Sequence, residues 1–123
     1  MNASRPLQLI PLLLFLAGIV LGADVSGKWN FQVNLDAGSG SPTFTFKQDG
    51  ETLTGAYAGR LGSAKVSGAV NGDRIDFSFE AEFSGDKIKA HYTGKIESPA
   101  KMSGSVDYGG LAKGTWTAEK AEN

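Results

Sequence analysis

Acid–base or metal chemistry in this chain would have to begin at His91, the single histidine of its 123 residues. Lys89, His91 and Thr93 alternate with Ala90 and Tyr92, so His91 belongs to a polar face, expected opposite Glu80 on a neighbouring strand. Structural zinc sites use four Cys or His ligands, and a nucleophilic triad needs a base beside a positioned nucleophile. With no cysteine and no second histidine, His91 lacks the usual partners for either. Asp76, Glu80 and Glu82 share one parity, but a paired-carboxylate hydrolase needs its acids in a cleft, one with a raised pKa. They are expected to face Lys65, Lys89 and Lys95 on a convex wall, as surface pairs worth ~0–1 kcal/mol each. No turn has the alternating acidic spacing of a calcium loop. The expectation is a non-enzyme with no catalytic residue, metal or cofactor.

Binding chemistry has better candidates. Gly59-Arg60-Leu61-Gly62 sets a guanidinium beside an apolar side chain, where it either holds an anion or keeps the loop soluble. Asp36, Phe83, Tyr108 and Leu111 flank other glycine-containing turns, and Tyr57 lies just before the Arg60 loop. These seven residues are the candidate ligand-binding set. They are far apart in sequence, so only the intervening elements can gather them.

Those elements are legible as strands. Val25, Gly27, Trp29, Phe31 and Val33 alternate with Ser26, Lys28, Asn30, Gln32 and Asn34. The pattern returns at Phe44/Phe46, Leu53–Tyr57, Val66–Val70, Ile75–Phe83, Ile88–Ile96, Met102–Tyr108 and Ala112–Ala118. Eight strands follow, each with an apolar and a polar face. The turns around Gly50, Gly72 and Gly85 share one plan, with glycine first in a two-residue type II′ loop. That register keeps apolar residues opposite one another. It pairs Gly68 with Phe77, Val66 with Phe79, Phe77 with Gly94, Phe79 with Tyr92 and Phe83 with Ile88, leaving the Phe77 ring between two glycines.

Glycine also recurs on the apolar faces, in Val25–Trp29, Leu53–Tyr57, Val66–Val70, Tyr92–Ile96 and Met102–Val106. An inward glycine lets a strand bend, as closure of a small barrel requires. The expected fold is therefore all-β, an eight-stranded antiparallel up-and-down β-barrel, with an open sandwich as the alternative. Closure brings the first and last strands together, so Trp29 and Trp116 are expected to pack near one another at the seam. Alternating strand direction gathers Leu35–Pro42, Gly59–Ser63, Ser84–Lys87 and Tyr108–Leu111 at one end. That end has the longer, glycine-rich loops, and the candidate binding residues with them.

Residues 1–23 read as an export signal, with Arg5, then an apolar stretch from Leu7 to Leu21, then Gly22-Ala23 before the cut. Pro11 and a span short of the ~20 residues of a membrane helix disfavour an uncleaved anchor. Residues 24–120 form the barrel domain and 121–123 a tail. Without cysteine a bacterial-type lipid anchor on the residue after the signal is excluded, so the protein is expected to be secreted or periplasmic, with no membrane span after cleavage. Lysine and arginine number 12 against 13 acids, which argues against a nucleic-acid partner. An outer-membrane barrel would turn an apolar face outward, whereas here the outer face is Lys, Glu, Ser and Thr.

Val25-Ser26-Gly27-Lys28-Trp29 resembles the Gly-x-Trp opening of the calycin barrels, the lipocalins and avidins. It is also similar to small periplasmic proteinase inhibitors with a lipocalin-like barrel. The resemblance implies the eight-stranded meander. Its functions are not carried over, because later lipocalin motifs and the inhibitors' disulfide are missing. The inward polar set is only Tyr57, Tyr92, Tyr108 and Gln48, fewer than avidins use. Two expectations remain open. One is an exported barrel binding a small, mostly apolar ligand at the long-loop end. The other is a filled barrel acting through its surface, as an inhibitor or partner of another envelope or secreted protein. Oligomeric state is not legible.

Overall fold

The alternation becomes nine strands because one face of each can be buried only if the sheet curls onto itself. The computed structural model describes residues 24–83, with only the backbone at Phe83, and residues 85–122; the expected signal segment lies outside them. The strands are β1 (Gly27–Leu35), β2 (Gly38–Gly40), β3 (Thr43–Asp49), β4 (Thr52–Gly59) and β5 (Gly62–Asn71). They continue with β6 (Arg74–Phe83), β7 (Asp86–Ser98), β8 (Lys101–Tyr108) and β9 (Ala112–Lys120). Every pairing is antiparallel, β3 through β9 following in order, and β1 pairs with both β3 and β9. Eight long strands thus form the closed barrel, and the three-residue β2 is an additional piece beside β1.

Closure relies on glycines at fixed points. A Cβ at Gly68 would stand 2.6 Å from the Phe77 Cα and closer still to the Asp76 carbonyl oxygen. A Cβ at Gly94 would press on the Trp116 ring at 2.5 Å. Neighbouring strands therefore cross at a separation that only glycine permits, which is how so few strands coil tightly enough to close.

The interior is apolar and full. Trp29, Phe44, Phe77 and Tyr92 have no exposed surface, and none of the described buried side chains is charged. Phe31 lies 4.4 Å from Phe44 and stacks on Trp116 at 4.9 Å; Phe77 stacks on Tyr92 at 4.9 Å. Each such ring contributes ~1.5–3 kcal/mol by leaving water. Val25 plugs the end where β1 begins, its N–H donating to Gln48 Oε1 and its carbonyl accepting from Trp29 Nε1, both at 2.9 Å.

The Gly50 and Gly72 hairpins close as Asp49 opposite Thr52 and Asn71 opposite Arg74, with Gly68 facing Phe77 and Val66 facing Phe79 as expected. The third hairpin differs. Its last pair is Phe83 with Asp86, not with Ile88, so Gly85 (φ +87°) is second of the two intervening residues. The two-residue slip keeps every side chain on its face, which is why alternation alone does not resolve it. Phe77 consequently faces Tyr92 rather than Gly94, and Phe79 faces Ala90. On the outside, Glu80 pairs with Lys89 while His91 faces Ser78 and reaches diagonally to Asp76, 2.9 Å from Oδ1.

The tryptophans also depart from expectation. β1 and β9 do adjoin, but Trp116 pairs with Val33 and Trp29 with Lys120, four residues apart along the seam. Phe31, not Trp29, stacks on Trp116.

Candidate functional site

One end of the barrel is plugged by Val25, and the other opens into a cup. Four turns ring that open end. Leu35 pairs with Gly38, Gly59 with Gly62, Phe83 with Asp86 and Tyr108 with Ala112, so each turn has only two or three residues. The expected long loop Leu35–Pro42 is instead a tight hairpin. β2 and β3 pair with β1 in one continuous register, broken only at Ser41-Pro42. Proline has no N–H to give the ladder, yet its carbonyl still accepts from the Phe31 N–H at 3.0 Å. The β1–β2 hairpin thereby extends the wall on one side of the opening.

Inside this wall lies a cavity of about 330 Å³. Val33 and Leu35 of β1, the whole of β2 and Pro42 form one side. Arg60 and Leu61 of the β4–β5 turn and Leu111 and Ala112 at the start of β9 form the others. Tyr57 and Tyr108, both buried, are its polar floor. Tyr57 stacks on Phe79 at 4.1 Å, so the packed rings beneath close off any tunnel.

Five of the seven residues singled out in the sequence therefore line one cavity: Tyr57, Arg60, Leu61, Tyr108 and Leu111. Asp36 is not part of the lining. Its carboxylate accepts from the Lys113 N–H at 3.2 Å and its own N–H donates to the Lys113 carbonyl at 2.9 Å, tying the hairpin to β9. Phe83 ends β6 at the turn to β7, on the ring around the open end, and its side chain lies outside the described residues. Val33, Leu35, β2, Pro42 and Ala112 were missed. Leu35 continues the inward parity of β1 and was the available signal, whereas Gly-Ser-Gly-Ser before Pro42 reads as loop.

The hydrogen bonds of the floor have a direction. Tyr92 and Tyr108 hydroxyls lie 2.6 Å apart. Tyr92 is fully buried, so if it accepted from Tyr108 its own proton would point into apolar core, at a cost of ~1–3 kcal/mol. Tyr92 is therefore the donor, and the Tyr108 proton is turned towards the cavity. The Tyr57 hydroxyl oxygen accepts from the Leu61 N–H at 3.3 Å. Burial pushes the Tyr108 phenol up to about 12, and that of Tyr92 higher, because the charged form would lose its water. Both remain neutral donors at ordinary pH. Among the described residues no carboxylate lines the cavity, and Arg60 is the one formally charged side chain in its lining.

The outer wall offers less. His91 and Asp76 are both about half exposed, and the ion pairs Lys87–Glu80 and Lys95–Asp73 are more exposed still. Among the described residues no cluster of three His, Cys, Asp or Glu is placed to hold a metal.

The chain is thus a small closed β-barrel of lipocalin-like fold, packed through most of its length and hollow at one mouth. No family model matches it, and neither does any curated protein. Among solved structures it is similar to a redesigned beta barrel, b11L5F_LGL, with a TM-score of 0.66 at 17% identity over 80% of this chain and 92% of that one. A second redesigned beta barrel, mFAP0, bound to DFHBI, has a TM-score of 0.61 at 18% identity, covering 78% and 98% of the two chains. A third, mFAP1, also bound to DFHBI, has a TM-score of 0.60 at 17% identity, covering 78% and 94%. At such identities the likeness is one of fold.

Proposed function

We propose that this protein is an exported, non-enzymatic barrel that binds a compact, mostly apolar molecule in the cup at its open end. The observation behind this reading is the cavity of about 330 Å³, walled by Val33, Leu35, Leu61, Leu111 and Ala112. Its size falls at the lower end of the ~300–1,000 Å³ typical of small-molecule sites. Two barrels of similar fold hold a small ligand, DFHBI, which supports the reading without identifying the ligand of this chain.

A plug variant tests it. Gly40 lines the cavity opposite Val33, and a Cβ built there meets nothing within 4 Å. Gly40→Phe should fill the cup without straining the barrel. Native mass spectrometry of the wild-type protein purified from its own host is expected to show a bound small molecule that Gly40→Phe lacks, with the same far-ultraviolet circular dichroism for both. A wild-type protein that arrives empty and also takes up no fluorescent apolar probe would sink the proposal.

A second reading draws on the rim. Leu111 is 58% exposed, the one large apolar side chain so placed among the described residues. A barrel acting as partner or inhibitor of another exported protein would use Leu111 and Arg60 from outside. Its binding would survive Gly40→Phe and fail in Leu111→Asp.

A further inference from the structure

The two floor hydroxyls share a property that the cavity's shape does not reveal. Each has its oxygen engaged as an acceptor, Tyr108 from Tyr92 and Tyr57 from the Leu61 N–H. Neither hydroxyl proton meets an acceptor among the described residues, although Tyr57 is 3% and Tyr108 9% exposed. A buried donor without a partner is costly, and a ligand that supplies the missing acceptor recovers that cost. Ser41, also in the lining, has its hydroxyl proton turned away to Gln32 Oε1 at 3.0 Å. The guanidinium of Arg60 adds further donors at the rim and no acceptor.

We propose, resting on the ligand-binding reading above, that the cup selects molecules that place an acceptor oxygen at the inner end of an apolar body. The Tyr57 and Tyr108 hydroxyls donate to that oxygen, and the positive charge of Arg60 in the same lining favours an anionic ligand over a neutral one through its field. A carbonyl, phenolate or carboxylate fits this description. An ammonium, which only donates, finds each phenol oxygen already accepting one hydrogen bond and leaves both hydroxyl protons unpaired, as does a pure hydrocarbon. Because burial keeps Tyr108 protonated up to about 12, the donor is in place at any pH at which the protein works.

Three probes of one shape separate the contributions: naphthalene, 2-acetylnaphthalene and 2-naphthoate, each titrated into the full-length mature protein by calorimetry. The expected order is naphthoate tightest, the ketone next and naphthalene weakest, with about 10-fold per step from one well-placed hydrogen bond or charge. Tyr108→Phe should remove the ketone's advantage over naphthalene. Arg60→Gln should remove only the extra affinity of naphthoate over the ketone. Tyr57→Phe, which disturbs only a turn amide, gives an independent reading should Tyr108→Phe prove unstable, and should also weaken the ketone. Equal affinity for all three probes, or an unchanged order in both tyrosine variants, overturns the acceptor rule while leaving a binding cup. If none of the probes binds the wild type, the binding reading falls and the acceptor rule with it.

Discussion

Glycine is the residue on which this barrel most depends, and the dependence is uneven. At Gly68 a methyl group would run into the Asp76 carbonyl oxygen and stand 2.7 Å from the Phe77 Cβ. At Gly40 the same methyl meets nothing within 4 Å. Gly68→Ala should therefore cost about 1–3 kcal/mol through overpacking, and Gly40→Ala close to nothing. Urea unfolding of the two variants checks this, with the midpoint expected to fall for the first and hold for the second. Equal midpoints would mean that β5 and β6 separate more easily than their crossing suggests. The tyrosines divide in a similar way. Tyr92 supports Tyr108 from within the core, and Tyr108 and Tyr57 meet the cavity.

At the level of elements, β2 stands apart. It pairs with β1 alone, while each of the other strands has a neighbour on both edges. Ser41-Pro42 interrupts the ladder between β2 and β3, and a strand held on one edge opens locally at low cost. Amide hydrogen exchange should accordingly find β2 the least protected strand, with β7 and β8 among the most protected. Adding a ligand that fills the cup should slow exchange in β2 selectively, since β2 forms part of the cavity wall. Uniform slowing across all strands would place the ligand elsewhere. The hairpin between β6 and β7 shows a different lesson, since its two-residue slip left the faces intact and changed only the cross-strand partners. His91 thereby exchanged Glu80 for Asp76 without moving to another face.

For the molecule as a whole, stability resides in one continuous core of aromatic and aliphatic side chains. The three ion pairs among the described residues lie on the surface, so added salt should shift the melting temperature little. Alkaline pH should act strongly. The unfolded chain releases its phenolic protons near the ordinary value of 10.0, while burial holds Tyr108 to about 12 and Tyr92 beyond that. Stability is then fully present below pH 10 and is lost as pH rises from 10 through 12. Tyr108 accounts for about 1–2 kcal/mol of that loss once screening by solvent in the open mouth is counted. Tyrosinate absorbance at 295 nm should rise together with loss of near-ultraviolet circular dichroism. Ionisation of Tyr92 and Tyr108 in a still-folded protein would contradict this.

The alternation from Val25 to Ala118 by itself determined that the chain is all-β, that it holds eight long strands and which residues face inward, because a period of two leaves each strand one face to bury. That the sheet closes rather than opening into a sandwich is shown by the pairing of β1 with β9. Topology then followed from short turns, and with it the end of the barrel that holds Tyr57, Arg60, Leu61, Tyr108 and Leu111. Only the tertiary structure decided the rest. A slip of two residues is invisible to alternation, so the partners of Phe77 and His91 depended on how the third turn closed. The course of Gly38-Ser-Gly-Ser-Pro42 depended on β1 offering an edge, since no side chain in that run announces a strand. Whether the interior was full or hollow depended on ring positions, which residue types do not set. The rings fill the middle of the barrel and stop at Tyr57 and Tyr108, and the cup begins there.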